Sequence, residues 1–292
     1  WEDLQYSGYD PEALAAMFRK LEFKSLLEKL DLIPASGNVQ VVDEEELKVR
    51  ILQSEDVEAF IPELDRCEGL HVEVIGENPH QADVLGLGFY LGGQAVYVPF
   101  ELATAEEGRP IREWLKDPSR KKRMFDAHQA ELALYWHGME LKGCSFDVAL
   151  AAYLLDPSET TLTLPAISKA YGGPQVEDDA AVYGKGAKFK IPDLEQVGNH
   201  IGRKAAVVAK LSPRLDAELA KREMSDLFYK LELPLSSILA RMEKAGVKVN
   251  AEALAELGAE FSAKLEQLIT RIYELAGGEF NINSTKQLGE VL

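Results

Sequence analysis

Apolar positions take two rhythms along the chain. Between residues 70 and 100 they form runs of strand length: LHVEVIG (70–76), DVLGLGFYL (83–91) and QAVYVPF (94–100). Gly92-Gly93 between the second and third predicts a hairpin, because glycine tolerates the positive φ of a tight turn. RKKRMFDA (120–127) reads as a fourth strand leaving a basic turn. Elsewhere the spacing is helical: 11–30, a capped segment 54–67 opening at Ser54, a short IREWLKD helix, then 130–139 and 146–156. This order predicts a mixed sheet flanked by helices. Residues 31–40 collect Pro, Gly, Ser and Asn and read as a linker, after which VVDEEELKVRIL (41–52) opens a new unit.

Residues 172–192 read as a long polar loop. From about 193 the pattern is helical, with a break expected at Ser212-Pro213. Residues 226–250 predict an amphipathic helix closed by Gly246 and a short VKV strand. Asn250 caps a helix over 251–276, which at 1.5 Å per residue is about 39 Å long. Ser284 and Gln287 fit a capping box for a last helix.

Composition changes the picture in one respect. The chain has 292 residues, 46% hydrophobic and 28% charged, with a net charge of −17. That sign excludes nucleic-acid binding over the whole surface, so any such contact must be local. Cys67 and Cys144 have no metal-ligand spacing and suggest buried thiols in a reducing compartment. No signal peptide and no apolar stretch of about 18 residues occurs, so a cytoplasmic protein with no membrane partner is expected. The chain starts without Met and stops within a helical pattern, which reads as a piece of a longer protein.

LPLSSILARMEKAGVKVN, followed some thirty residues later by GGEFNINSTKQLGEVL, resembles the opening of the polymerase region of family A DNA polymerases. In that family the first long helices form the thumb, and the signature sits at a tip that grips duplex DNA. The resemblance implies DNA-backbone contacts from Asn281, Asn283, Ser284, Thr285 and Lys286. Short polar donors beside free helix N–H groups suit phosphate oxygens. GMELKGCSFDVALAAYLLDP and TLPAISKAYG are similar to the family's 3′–5′ exonuclease region, and residues 1–30 to the end of its 5′ nuclease region.

The organisation implied is 1–30 end of the 5′ nuclease region, 31–40 linker, 41–223 exonuclease-like domain and 224–292 start of the thumb. The fold class is α/β: a ribonuclease H-like 3′–5′ exonuclease fold, a mixed sheet flanked by helices, followed by an all-α partial thumb. Primer–template DNA and the remaining palm and fingers are the implied partners. Mg²⁺ is expected in that palm, and no cofactor on this chain.

The exonuclease motifs are where the sequence departs from the family. Two cations about 4 Å apart need several converging carboxylates. The family supplies them from Asp-x-Glu on the first strand, Asn-x-x-x-Asp, and Tyr-x-x-x-Asp on a helix. The matched positions here read Val72 and Val74, Ala130, and Lys204, with Asp126 for Asn and His200 for Tyr. Glu73 lies between the valines and is expected on the opposite, solvent face. No metal site and no 3′–5′ exonuclease activity are therefore expected.

Two other readings stand beside this one. The domain could be a protein-docking scaffold, or an active nuclease using Glu73, Asp126 and Asp147 as unconventional ligands. The five histidines show no zinc spacing. RKKR (120–123) reads as a solvated turn, GKGAKFK (184–190) as a mobile loop, and Trp114, Trp136 and the tyrosines as packing.

Overall fold

The computed structural model describes residues 10–21, 23, 26, 30 and 47–292. The linker expected at 31–40 lies outside them, as do parts of the opening segment and of 41–52. The chain forms two compact units, Trp1–Lys244 and Ala245–Leu292.

In the first unit, α1 (Pro11–Lys20) starts where the Asp10 side chain accepts from the N–H groups of Glu12 and Ala13. Strand β1 (Val49–Ile51) follows. The helix expected over 54–67 is only a short α2 (Val57–Phe60) between two 3₁₀ turns, with Pro62 in the second. The expected cap does not form, because Ser54 lies inside the first turn and the residue preceding it is Gln53.

The three expected strands are present as β2 (Cys67–Ile75), β3 (Asp83–Leu91) and β4 (Gln94–Pro99). Gly92 and Gly93, with φ of 55° and 98°, make the hairpin between the last two. The sheet order is β1-β4-β3-β2, with β1 parallel to β4 and the other pairs antiparallel. The fourth strand of this sheet is thus β1. After α3 (Phe100–Thr104) and α4 (Arg109–Lys116), β5 (Lys122–Met124) pairs instead with β6 (Cys144–Asp147) in a separate parallel ribbon. Between these strands runs α5 (Ala127–Trp136).

Next come α6 (Val148–Leu155), α7 (Leu164–Ala170) and α8 (Asp179–Val182). Then α9 (Leu194–Lys221) runs through Pro213 without the expected break. Leu211, Leu215 and Leu219 are all fully buried around the proline, so packing holds the helix together, and the Ser212 hydroxyl donates to Val208 O at 2.6 Å.

One face of the sheet carries the main core, with Leu70, Val72, Phe89 and Val98 against Trp114, Leu115, Ala130 and Leu134. The other face carries α9. Glycine makes that approach close: a Cβ on Gly69 would fall 2.4 Å from Ala205 O, and one on Gly88 2.5 Å from Ile201 O. Adding a methyl at either position costs about 1–3 kcal/mol by overpacking. Strand β2 is therefore covered on both sides, a setting in which alternation no longer separates core from solvent.

The unit continues past residue 223, where a domain division was expected, to Lys244. It takes in α10 (Ser225–Leu227), a π turn (Phe228–Glu232) and most of α11 (Leu233–Ala245). Phe228 is buried and meets Phe146 at 5.0 Å. Residues 246–250 form no strand.

In the second unit, α12 (Ala251–Ala276) has the expected bounds, with the Asn250 side chain accepting from Ala253 N–H and Gly277 closing it at φ 74°. A last helix, α13 (Thr285–Val291), follows. Among the described residues no helix is long and apolar enough to cross a membrane.

Candidate functional site

His71 and Glu73, two apart on β2, share the face turned toward α9, and both are buried. Glu73 is only 1% exposed, which corrects the expectation of a solvent-side acid. The face argument was right that Glu73 opposes Val72 and Val74. The error lay in taking the opposite face for solvent, when it lies under α9. The ladder also shifts register between Glu73 and Val74, an irregularity of the kind that re-aims side chains.

Lys204, from α9, donates to both Glu73 oxygens at 2.9 and 2.8 Å and also pairs with Asp179 from α8. His71 Nε2 lies 2.8 Å from Glu73 Oε2, and His200 Nε2 lies 2.8 Å from Asp179 Oδ1. The Tyr183 ring stands edge-on to His200 at 5.6 Å. Its hydroxyl is buried and turned toward Glu73, and His71 Nδ1 is buried with no hydrogen-bond partner among the described residues. The result is two carboxylates and two imidazoles around one ammonium.

Electrostatics follow from that arrangement. Burial raises the Glu73 carboxyl, but the Lys204 charge and the His71 hydrogen bond outweigh it, leaving the group at about 2. Burial likewise raises Asp179, and its bonds to His200 and Lys204 pull it far below the ordinary range. His71 is lowered by burial, against the pull of Glu73, so its imidazole is neutral at pH 7. Burial and the charges of Glu73 and Asp179 push the Tyr183 phenol far up.

Ligand atoms of Glu73, Asp179 and His200 all lie within 4.8 Å of one another, close enough to hold a metal ion. The Lys204 ammonium sits among them. A divalent cation brought to the same oxygens would be repelled by that charge, so the residues present do not fit a metal as they stand.

The four matched exonuclease positions do not converge. Val72 and Ala130 belong to the main core with Val74 packed against it, whereas Lys204 lies across the sheet. The strand residues facing Lys204 are His71 and Glu73, a correction of one residue in register. Asp126 and Asp147 form a different arrangement. Asp147 caps α6 by accepting from Ala149 and Leu150 N–H and pins the start of α5 through Asp126 and Ala127 N–H. Burial pushes its carboxyl up to about 6. Asp126, at φ 50°, caps α5 by accepting from Gln129 N–H. Neither belongs to the metal-capable group.

Other expectations also shift. In RKKR, Lys122 is fully buried, while Lys121 and Arg123 line a groove with the acids Glu68 and Asp216. The 184–190 loop is tied by Lys190 N–H to Tyr183 O at 2.8 Å. Trp136 is half-exposed, not core, and donates to His80 Nδ1 at 2.9 Å.

In the second unit the Ser284 side chain accepts from Gln287 N–H at 3.4 Å, and Gln287 Oε1 accepts from Asn281 N–H at 2.8 Å. Asn281 Oδ1 accepts from Asn283 N–H. Asn281, Asn283, Thr285 and Lys286 are exposed and Ser284 partly so. These five residues thus form one ordered turn with polar groups free to meet a partner.

His71 was legible in sequence as the strand partner of Glu73 two residues on. Asp179 and Tyr183 carried no signal, because they reach the site from a loop more than a hundred residues downstream of β2.

The family described as DNA polymerase I, ribonuclease H-like domain, matches residues 70–211. The whole chain is 40% identical to DNA polymerase I of Geobacillus stearothermophilus and 42% to that of Bacillus caldotenax. It is 38% identical, over 99% of its length, to that of Bacillus subtilis (strain 168). It spans 32% of the length of each of these relatives. A solved structure, the POL domain of Pol1 from M. smegmatis in complex with DNA primer-template and dNTP, superposes over 83% of this chain and 40% of that one. The TM-score is 0.65 at 28% identity.

Proposed function

The chain belongs to the bacterial DNA polymerase I family over the third of its relatives' length that it spans, and from that premise we propose that it serves a DNA-directed DNA polymerase acting in replication and repair. Residues 41–223 act in it as a structural, metal-free remnant of a 3′–5′ exonuclease, and residues 281–286 hold the backbone of primer–template duplex. Polymerisation itself, with its Mg²⁺, belongs to the palm and fingers of a cytoplasmic parent enzyme. The observation that carries the remnant reading is the Lys204 ammonium bound to Glu73 and Asp179, where hydrolysis would need cations.

The test is nucleotide release from a 3′-labelled single strand by this chain with Mg²⁺ or Mn²⁺. None above a Lys204→Met, Glu73→Gln control is expected, and release that the control abolishes refutes the remnant reading. For the duplex contact, Lys286→Ala should weaken binding about equally across sequences and lower the salt slope by about one. Unchanged binding would remove the 281–286 turn from the interface.

A further inference from the structure

Helix α11 rests on the first unit through polar side chains. Ser237, Ala240 and Lys244, spaced i, i+3 and i+7, share one face of it, and of its 13 residues only Ala240 is buried. Ser237 Oγ donates to Glu131 Oε2 at 3.0 Å, and Lys244 Nζ donates to Glu131 Oε1 at 2.7 Å. Lys244 also stands 4.8 Å over the Tyr135 ring. Beside this pair the Glu243 carboxylate meets His80 Nε2 and His128 Nε2, each at 2.9 Å. Leu235, Ile238, Leu239 and Met242 of the same helix are exposed. Apolar burial, which seats most helices, therefore contributes little to holding this one.

The two ends of α11 are held differently. At its C-terminal end the contacts form a clasp. The Trp136 indole can only donate, and it donates to His80 Nδ1 at 2.9 Å, so the His80 proton sits on Nε2 and is given to Glu243. His128 Nε2 approaches Glu243 without the alignment of a hydrogen bond. At the N-terminal end the π turn is pinned by apolar packing. Phe228 is buried against Phe146, and the Tyr229 hydroxyl donates to Asp216 Oδ1 at 2.9 Å. Between turn and clasp, a groove of about 500 Å³ separates Leu233 and Pro234 of α11 from Leu141 and Cys144. A π turn is a common place for a helix to change course.

We propose that α11 is a releasable strap, hinged at the π turn and latched onto the domain by Glu131 and Glu243. This goes beyond a purely structural role for the domain, and it holds whether or not the domain hydrolyses DNA. The latch is made of side chains between 14 and 39% exposed, so water and salt compete with each of its ion pairs. A helix of 13 residues is marginal by itself in water. With the latch open, α11 therefore loses its protection as one segment, while the sheet and α9, which carry the buried core, keep theirs.

The test is amide hydrogen exchange on the full chain, comparing the natural sequence with the double variant Glu131→Gln, Glu243→Gln. Amides of residues 235–245 are expected to exchange at least about fivefold faster in the variant, with those of α9 and of β2 to β4 unchanged. Salt at about 1 M should speed the same amides in the natural chain and leave the variant where it is. A smaller acceleration in the variant overturns the proposal, because α11 would then be seated without its latch. Equal acceleration in α9, or a variant that does not fold, also overturns it, since the two carboxylates would then hold the whole unit and not one strap. Salt that moves natural chain and variant alike does the same, because the latch would not be ionic.

Discussion

Lys204 and Lys122 are both buried in the first unit, yet they are held by opposite chemistry. Lys204 is ion-paired to Glu73 and Asp179. Lys122 is ion-paired to no carboxylate among the described residues, though the Asp117 charge acts on it: its Nζ donates to the backbone carbonyls of Asp117 and Arg120 at 2.9 and 2.8 Å and stands 4.5 Å over the Trp114 ring. The second arrangement is how a buried lysine is tolerated as a structural strut, by dipoles and an aromatic face. The first has more negative charge than a strut requires.

The sharpest way to break this comparison is to remove each ammonium. Lys204→Met leaves the buried Glu73 carboxylate under α9 without its cation and should cost about 3–5 kcal/mol in metal-free buffer. Chemical denaturation monitored by circular dichroism measures it. A loss below about 1 kcal/mol would mean the carboxylates are already solvated, and the contrast between the two lysines would collapse.

Acid titration probes the same contrast from the carboxylate side. Folded Glu73 releases its proton at about 2 against an ordinary 4.5. The unfolded chain therefore binds a proton first as pH falls, and the contribution of Glu73 to stability, present above 4.5, is lost on the way to 2. The full loss is roughly 3 kcal/mol, and Asp179 adds in the same direction. Asp147 works oppositely. Its folded carboxyl, raised to about 6, contributes stability below the ordinary carboxylate range that is lost as pH rises to 6. Stability against pH should therefore rise steeply from 2 to 4.5 and less, or not at all, from 4.5 to 6. In Lys204→Met the steep limb should shrink to what Asp179 keeps through His200, since Glu73 has lost the charge that depressed it. Persistence of the whole limb would assign it to other acids.

What the sequence made legible divides along the same line. The strands of the hairpin, the 251–276 helix and the Ser284 cap follow from local rules: paired glycines, apolar period and a side-chain acceptor three residues ahead of an N–H. The failures were tertiary. Glu73 alternates with valines as a surface acid would, and only the glycine-permitted approach of α9 makes its face an interior. RKKR reads as solvated because nothing local shows that its third residue turns inward over Trp114. Pro213 reads as a helix break because the buried leucines that hold α9 together act across the fold. Of the candidate site, Lys204 was visible as a cation at a position where the family resemblance implied an acid. The convergence of Lys204 with Asp179 was not, because it joins α9 to a distant loop.

The smallest expected effect tests the strut. Lys122→Met leaves two carbonyls without a donor and should cost about 1–2 kcal/mol near pH 7, well under the Lys204 value. Its alkaline behaviour is more specific. Burial lowers folded Lys122 to about 8, while the unfolded chain keeps its proton to about 10.5, so this residue alone makes stability rise with pH between the two. The thiols oppose it above 9, because burial holds Cys67 up to about 12 and Cys144 higher still, and the unfolded chain loses those protons first. The total curve hides Lys122, but the difference between the natural chain and Lys122→Met cancels the thiols. That difference should grow from pH 8 to 10.5. A flat difference would mean that Lys122 stays charged on its carbonyls throughout, in which case dipoles alone can hold a buried ammonium as well as two carboxylates do, and the acids around Lys204 would exceed what its charge requires by still more.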